Sequence, residues 1–179
     1  MKNKGKIFED AIKSSIPDYC LLIRLPDPPH AFTQRSDTRF AIKNPCDYLC
    51  YNSTDNKLWC LELKTTAGKS ISFEDIHSDK ESNKMIHKHQ TESLLKFSEY
   101  SGVVAGFLFN FRHFEGEENA NEMTYFMEVS KFQEMCDKLN KKSFNEMDII
   151  INGAIKVQGF KKRTRYSWDI KSLFEEYKI

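Results

Sequence analysis

The sequence predicts an α/β fold in which helices flank a central mixed β-sheet. Segments with apolar residues three or four positions apart, typical of amphipathic helices, alternate with short strand-like runs along the chain. Two of these runs are joined by a turn-forming segment, which predicts a hairpin, and a third is continuously apolar, as in a strand covered on both faces. No internal repeat or domain boundary interrupts this pattern, so we expect one domain, residues 1–179.

The N-terminal part of the chain predicts a helix, a strand and a loop. The segment KGKIFEDAIKSSIPD has apolar residues from Phe8 to Ile16 on one helical face, and Pro17 ends the helix. The strand-like run YCLLIRL follows. Residues 26–45 are polar and rich in proline, so we expect a loop or a short stalk there instead of regular structure.

The rest of the chain supplies the hairpin, the central strand and the remaining helices. The runs CDYLCY and KLWCLELK are strand-like and are separated by NSTDN, a turn composition. The 3.6-residue period of NKMIHKHQTESLLKFSEY predicts a helix from Asn83. GVVAGFLFNF is predicted to be a central strand. The strands EMTYFMEV, AIKVQGF and RYSW and a final helix, DIKSLFEEY, come after it.

Composition and charge exclude several classes of protein. Hydrophobic residues make up 40% of the chain and charged residues 30%, as in an ordinary globular protein. No apolar run approaches the roughly 18 residues that span a bilayer, and none follows the basic N-terminus as in a secretory signal, so we expect no membrane partner. Of the five cysteines, three lie in strand-like apolar runs, which favours reduced thiols and a cytoplasmic location. The net charge of +1 neither supports nor excludes a nucleic-acid partner.

Two opposite charges stand inside the strand-like run LWCLELKTT. Side chains two positions apart in a strand face the same side, so Glu62 and Lys64 share one face, and Trp59, Leu61 and Leu63 share the other. We expect the face with the tryptophan and leucines to be the packed one. The charged pair then points together toward the opposite face.

The loop length of the predicted hairpin decides which residue meets Glu62. A four-residue loop, residues 53–56, pairs Asn52 with Lys57 and brings Asp47 opposite Glu62. A five-residue loop puts Asp47 on the wrong face, so this arrangement depends on the register.

Two neighbouring carboxylates repel each other and favour a cation between them. A hard divalent ion, Mg²⁺ or alternatively Mn²⁺, takes such oxygen ligands, which here are Asp47, Glu62, the carbonyl of Leu63 and water. Lys64 beside that ion is placed to hold or deprotonate an attacking water or to stabilise charge on a phosphate. The alternative interpretation is an ion pair on the sheet face without a catalytic role.

Polar residues in two of the predicted helices add to this cluster. Gln90 interrupts the apolar stripe of Ile86, Leu94 and Phe97, and a glutamine facing the sheet needs a specific hydrogen-bond partner. The alternative is a boundary residue with its amide in water. Glu9 flanks the apolar face of the first helix and can lean toward the sheet, although a solvated glutamate is the default.

These motifs resemble those of the PD-(D/E)xK nuclease superfamily. The resemblance lies in Asp47-Tyr48, in LELKTT with Glu62 and Lys64, and in the helix containing HKHQ. The segments NKGKIFEDAI, CDY and HQTESL are most similar to RecU-type Holliday junction resolvases. The similarity covers roughly residues 5–90 and, more loosely, RYSWDIKSLFEEY.

The resemblance implies a restriction-endonuclease-like fold and a homodimeric, Mg²⁺-dependent, structure-selective DNA endonuclease without an organic cofactor. The active site would comprise Glu9, Asp47, Glu62, Lys64 and Gln90. Asp47 and Glu62 would bind metal, Lys64 would serve the attacking water, and the other two would support them. The interval from Leu25 to Asp47 is shorter than the stalk of RecU proteins. Another PD-(D/E)xK nuclease, of phage or restriction type, and a non-catalytic DNA-binding module of the same fold are therefore the alternatives.

Basic segments predict where DNA is held. From Lys156 to Arg165 there are five basic residues and no acid, with aromatic residues among and after them. A solvated edge strand protected by lysine and arginine is the alternative interpretation. The predicted DNA contacts, here and around the loop, are Arg24, Arg35, Arg39, Lys43, Lys161, Lys162, Arg163 and Arg165.

Overall fold

The computed structural model describes residues 3–26, 44–78, 82–113, 121–163 and 165–177. The helices in these ranges are α1 (Lys4–Lys13), α2 (Lys88–Ser98), α3 (Val129–Lys138), α4 (Glu146–Ile151) and α5 (Ile170–Glu176). The strands are β1 (Cys20–Arg24), β2 (Tyr48–Asn52), β3 (Lys57–Thr66), β4 (Ser70–Ser72), β5 (Val103–His113), β6 (Asn121–Glu128), β7 (Ser143–Asn145), β8 (Ile155–Val157), β9 (Gly159–Lys161) and β10 (Tyr166–Trp168). No helix in the described ranges has the length and apolar character needed to cross a bilayer.

The predicted mixed sheet with flanking helices is confirmed. Within the described residues, six strands form the central sheet in the order β1-β2-β3-β5-β6-β8. The strands β3 and β5 are parallel, and the other neighbouring strands are antiparallel. The connection between the two parallel strands includes α2, because parallel neighbours need a crossover. Two small sheets, β4 with β7 and β9 with β10, lie outside the central one.

The hairpin of β2 and β3 has the register that its four-residue loop predicts. Asn52 pairs with Lys57, and the pairing continues to Tyr48 opposite Leu61. Asn56 has a positive φ of 56°, a conformation that asparagine tolerates well in turns. Of the two registers left open by the sequence, the structure therefore has the one that carries residue 47, directly before β2, to the level of Glu62.

Both faces of the central sheet are packed, which corrects the expectation of one packed face on β3. On one side, α2 and α3 cover a core that includes Phe107, Phe109 and Phe132. On the other side, α1 and α5 cover a core that includes Trp59 and Phe126. Strand β3 lies between β2 and β5, beneath helices on both sides, so its charged face is covered as well.

Helix α2 begins at Lys88, so the prediction of a helix from Asn83 is wrong. The N–H of Ile86 donates to the Ser72 carbonyl, and the N–H of Glu74 donates to the Ile86 carbonyl. Residues before Lys88 are therefore held in a bridge beside β4, a strand that the sequence did not predict. Ile86 is buried in that bridge and happens to fall in phase with the apolar face of the helix.

Gly106, at the centre of β5, leaves no room for a side chain. A Cβ there would lie 2.8 Å from the Phe126 ring and would also contact the Met127 carbonyl oxygen. We expect Gly106→Ala to lower the free energy of unfolding by about 1–3 kcal/mol, because neighbouring strands must shift to accommodate the methyl group. Thermal and urea melts measure this loss. Gly68→Ala, in an exposed turn, is the control, and equal melting of both variants would contradict the steric explanation.

Candidate active site

Asp47 is anchored to both neighbouring strands directly before β2. Its carbonyl oxygen accepts a hydrogen bond from the N–H of Leu25, and its N–H donates to the Leu61 carbonyl. Its side-chain Oδ2 accepts a hydrogen bond of 2.8 Å from the N–H of Leu63. In a strand, the N–H and the carbonyl of one residue point to the same edge. The Leu63 carbonyl, the predicted third metal ligand, therefore faces the same edge as this carboxylate.

Glu62 is a buried carboxylate in the second half of β3, with 3% of its surface exposed. Its Oε1 lies 3.0 Å from Lys64 Nζ and accepts a hydrogen bond of 2.5 Å from Gln90 Nε2. Burial, opposed by the charge of Lys64 and reinforced by that of Asp47, raises the pKa of Glu62 to about 7. A cation at this position would favour the ionised carboxylate.

Gln90 is held in place by the first turn of α2. Its Oε1 accepts a hydrogen bond of 3.0 Å from the N–H of His87, directly before the helix, so its amide nitrogen is directed at Glu62. The carboxylate of Glu74 accepts a hydrogen bond from the N–H of Lys88 and fixes the same helix end. The predicted specific partner of Gln90 is therefore confirmed, and that partner is Glu62.

Glu9 and Arg24 form an ion pair beside Asp47, with 3.2 Å between Oε2 and Nε. Burial raises the pKa of Asp47, and the charge of Glu9 raises it as well. The hydrogen bond from Leu63 and the charges of Lys64 and Arg24 act in the opposite direction. Glu9 thus influences the site through its charge and is paired with Arg24, which we predicted as a DNA contact.

The donor set of this site fits a hard divalent cation. It offers the carboxylates of Asp47 and Glu62 and the carbonyl of Leu63, all of them oxygen ligands. In the part of the chain that the structure describes, no group of three or more histidine, cysteine, aspartate or glutamate side chains is arranged to hold a metal. Two carboxylates completed by a carbonyl and water match the coordination habit of Mg²⁺, which retains several waters in proteins.

The predicted DNA contacts fall into three groups. Arg24 lies beside the candidate site. Arg35, Arg39 and Lys43, together with most of the predicted loop or stalk at 26–45, lie outside the described residues. The last group is exposed at and around the turn between β9 and β10, and its members are Lys161, Lys162, Arg163 and Arg165.

A polar network beside the site was not predicted from the sequence. Asn110 is fully buried in β5, and its Oδ1 accepts a hydrogen bond of 2.6 Å from the Thr65 hydroxyl. Arg112 Nε donates to the same hydroxyl at 3.0 Å. The asparagine within the apolar run GVVAGFLFNF was the available indication, because a buried amide requires partners.

The chain is similar to a known sequence and to a solved structure. No protein-family model matches the chain. The chain is 29% identical over 180 residues to the SPbeta prophage-derived uncharacterized protein YotM of Bacillus subtilis, covering 97% of this chain and 86% of that protein. It is also similar to the structure of Hjc, a Holliday junction resolvase from Archaeoglobus fulgidus, with a TM-score of 0.44 and 13% identity, covering 84% of this chain and 93% of that chain.

The raised pKa of Glu62 predicts a stability profile in metal-free buffer. Below pH 4.5 the carboxyl group is protonated in both the folded and the unfolded chain, and its contribution to stability is fully present. As pH rises to about 7 only the unfolded chain ionises, so stability falls, by on the order of 3 kcal/mol, and then levels off.

We expect Glu62→Gln to remove this fall, so that the stability of the variant relative to wild type increases between pH 4.5 and 7. Urea melts in EDTA across this range measure the difference. Glu134→Gln, on the exposed surface of α3, is the control. Parallel profiles for wild type and Glu62→Gln would show that Glu62 titrates as a solvated carboxylate.

Proposed function

We propose that this protein is a metal-dependent DNA endonuclease of the PD-(D/E)xK type, which hydrolyses phosphodiester bonds. The observation that carries the proposal is the convergence of Asp47, Glu62 and Lys64 at one end of the β2–β3 hairpin. Their motif and the mixed sheet that supports it agree with a restriction-endonuclease-like fold. A surface ion pair would not need the buried carboxylate and the amide clamp from Gln90 that accompany this one.

Each residue has a role that its contacts support. Asp47, Glu62 and the Leu63 carbonyl would hold Mg²⁺, or Mn²⁺ in its place. The bound ion would lower the pKa of a water molecule and stabilise charge on the phosphate. Lys64, within 3.0 Å of Glu62, would hold or deprotonate the attacking water or stabilise charge on the phosphate. Gln90 would fix the Glu62 carboxylate, and Glu9 with Arg24 would adjust the charge around Asp47.

Branched DNA, such as a four-way junction, is the substrate that we propose for this chemistry. The RecU-like segments NKGKIFEDAI, CDY and HQTESL support it. Symmetric cutting of two strands at a branch needs two active sites related by a two-fold axis, so we also propose a homodimer.

A cleavage assay tests the function and its alternatives. Four-way junctions and linear duplexes of the same sequence are incubated with Mg²⁺, Mn²⁺ or EDTA, and sedimentation on the junction reports the oligomeric state. Preferential metal-dependent cleavage of the junction supports a resolvase. Equal cleavage of both DNAs indicates a general nuclease, and the absence of cleavage in every condition indicates a non-catalytic DNA-binding module.

Removing either carboxylate should abolish cleavage while leaving DNA binding largely intact. We expect Asp47→Asn or Glu62→Gln to prevent metal binding, whereas the loss of negative charge near a phosphate does not weaken electrostatic attachment. Product formation on gels and fluorescence anisotropy measure the two properties. Glu99→Gln, at the exposed end of α2, is the matched control. A site variant that cuts at the wild-type rate would show that the assignment is wrong.

Lys64→Ala should lower turnover by about 10²–10³-fold without unfolding the protein. Because the pKa of Glu62 is already raised to about 7, its carboxylate can take up a proton when the lysine is removed, so no unpaired charge need remain buried. Single-turnover kinetics and a thermal melt measure both effects. Lys69→Ala, in the exposed turn after β3, is the control. Global unfolding of Lys64→Ala would support a structural ion pair instead.

A further inference from the structure

A cationic site lies apart from the two carboxylates, at the carboxyl end of β5 beside the start of β6. It is a cavity of about 280 Å³ between the β9–β10 hairpin, the start of α1 and the adjoining ends of β5 and β6. We call it the basic pocket, and it is defined by Lys4, Arg112, Lys161, Arg163, Arg165 and Tyr166.

The positive charge of the basic pocket favours a negatively charged ligand. Lys161, Arg163 and Arg165 are exposed, and no carboxylate in the described ranges forms an ion pair with them. Glu122 also lines the cavity, where it lies opposite Arg112 in the sheet and accepts a hydrogen bond from Asn110. Among the described residues that line the cavity, cations thus outnumber carboxylates, and such a charge balance attracts phosphate groups and other anions.

The hairpin that carries these cations is fixed against α1. The N–H of Trp168 donates to Ser15 Oγ at 2.9 Å, and its ring packs edge-on against Phe8 at 6.2 Å between centroids. Gly159 permits this packing, because a Cβ there would lie 2.5 Å from the Trp168 ring. The base of the β9–β10 hairpin is therefore fixed in the fold beside α1.

The basic pocket is connected to the candidate active site through one strand. Arg112 is anchored by the hydroxyl of Thr65, which also donates to the buried amide of Asn110. Thr65 directly follows Lys64 in β3, and consecutive side chains of a strand point to opposite faces. Thr65 therefore faces the α1 side of the sheet, where the basic pocket opens. Lys64 faces the opposite side at the same end of β3.

We propose that the basic pocket binds a second phosphate of the nucleic acid that is cut at the Lys64 site, so that the substrate passes around the carboxyl end of β3. This inference rests on the proposed function. Arginine side chains bind phosphate oxygens in a bidentate manner, and Tyr166 provides a wall for the attached sugar. Arg112 contacts the phosphate, and Thr65 acts as a positioning residue for Arg112.

Metal-free binding tests the pocket independently of catalysis. The full-length chain in EDTA is titrated with a fluorescent four-way junction and with a duplex, over a range of salt concentrations. We expect the double variant Lys161→Gln, Arg163→Gln to bind about 10-fold or more weakly. The slope of log affinity against log salt should become shallower by about 1–2.

The control is the double variant Lys138→Gln, Lys171→Gln, which removes the same charge from exposed helical ion pairs elsewhere. Thr65→Val should weaken binding to an intermediate degree, and Thr65→Ser, which keeps the hydroxyl, should restore it. Thermal melts of all variants verify folding. Wild-type binding by the pocket variant, or an equal loss in the control, would overturn the proposal.

A further comparison distinguishes the source of the phosphate. The affinity for a duplex that carries a 5′-phosphate is compared with the affinity for a duplex that carries a 5′-hydroxyl. Both are measured for wild type and for the pocket variant. A preference for the phosphorylated end that the variant loses assigns the pocket to strand ends, and equal binding of both duplexes assigns it to the internal backbone. If the pocket variant loses binding but wild type never cleaves, the nuclease function fails while the pocket stands.

Discussion

The arrangement of the candidate site depends on burying the Glu62 carboxylate within a central strand. A buried carboxylate is costly unless donors or a cation surround it. Its donors here come from two elements, Lys64 in β3 and Gln90 in α2. The strand and the helix must therefore be docked together before the carboxylate is accommodated, and the start of α2 is fixed by its own hydrogen bonds to Glu74 and His87. Asp47 adds a second negative charge, which a divalent cation would neutralise.

The loop length of the β2–β3 hairpin determines which side chains meet at the candidate site. Its four-residue loop sets the register, and the register sets which residue lies beside Glu62. One inserted residue would turn Asp47 to the other face of the sheet. The hydrogen bond from the Leu63 N–H to the Asp47 carboxylate then fixes the side chain at the strand edge. A local property of the turn thus determines whether two carboxylates and a backbone carbonyl share one location.

Short-range rules predicted the mixed sheet, the hairpin and, for the four-residue loop that the structure shows, the neighbourhood of Asp47, Glu62 and Lys64. These rules failed where contacts between distant parts of the chain determine the local structure. Ile86 has helical spacing relative to α2 but belongs to a bridge beside β4, because pairing across the chain outweighs local periodicity. The packing of both faces of β3 was missed because alternation within one strand does not reveal what covers it. The network of Asn110 and Arg112 was missed because its partner, Thr65, lies on another strand.

The parallel pairing of β3 with β5 has a consequence for how the protein acquires its site. The two strands are separated in sequence by α2, so their pairing closes a long loop and is slow compared with formation of the β2–β3 hairpin. A chain that has formed only the hairpin holds Asp47 near Glu62, but Gln90 is not yet docked and the glutamate remains in water. Its carboxyl group then titrates as an ordinary solvated acid. The raised pKa of Glu62 therefore arises late in folding, together with the closure of the central sheet.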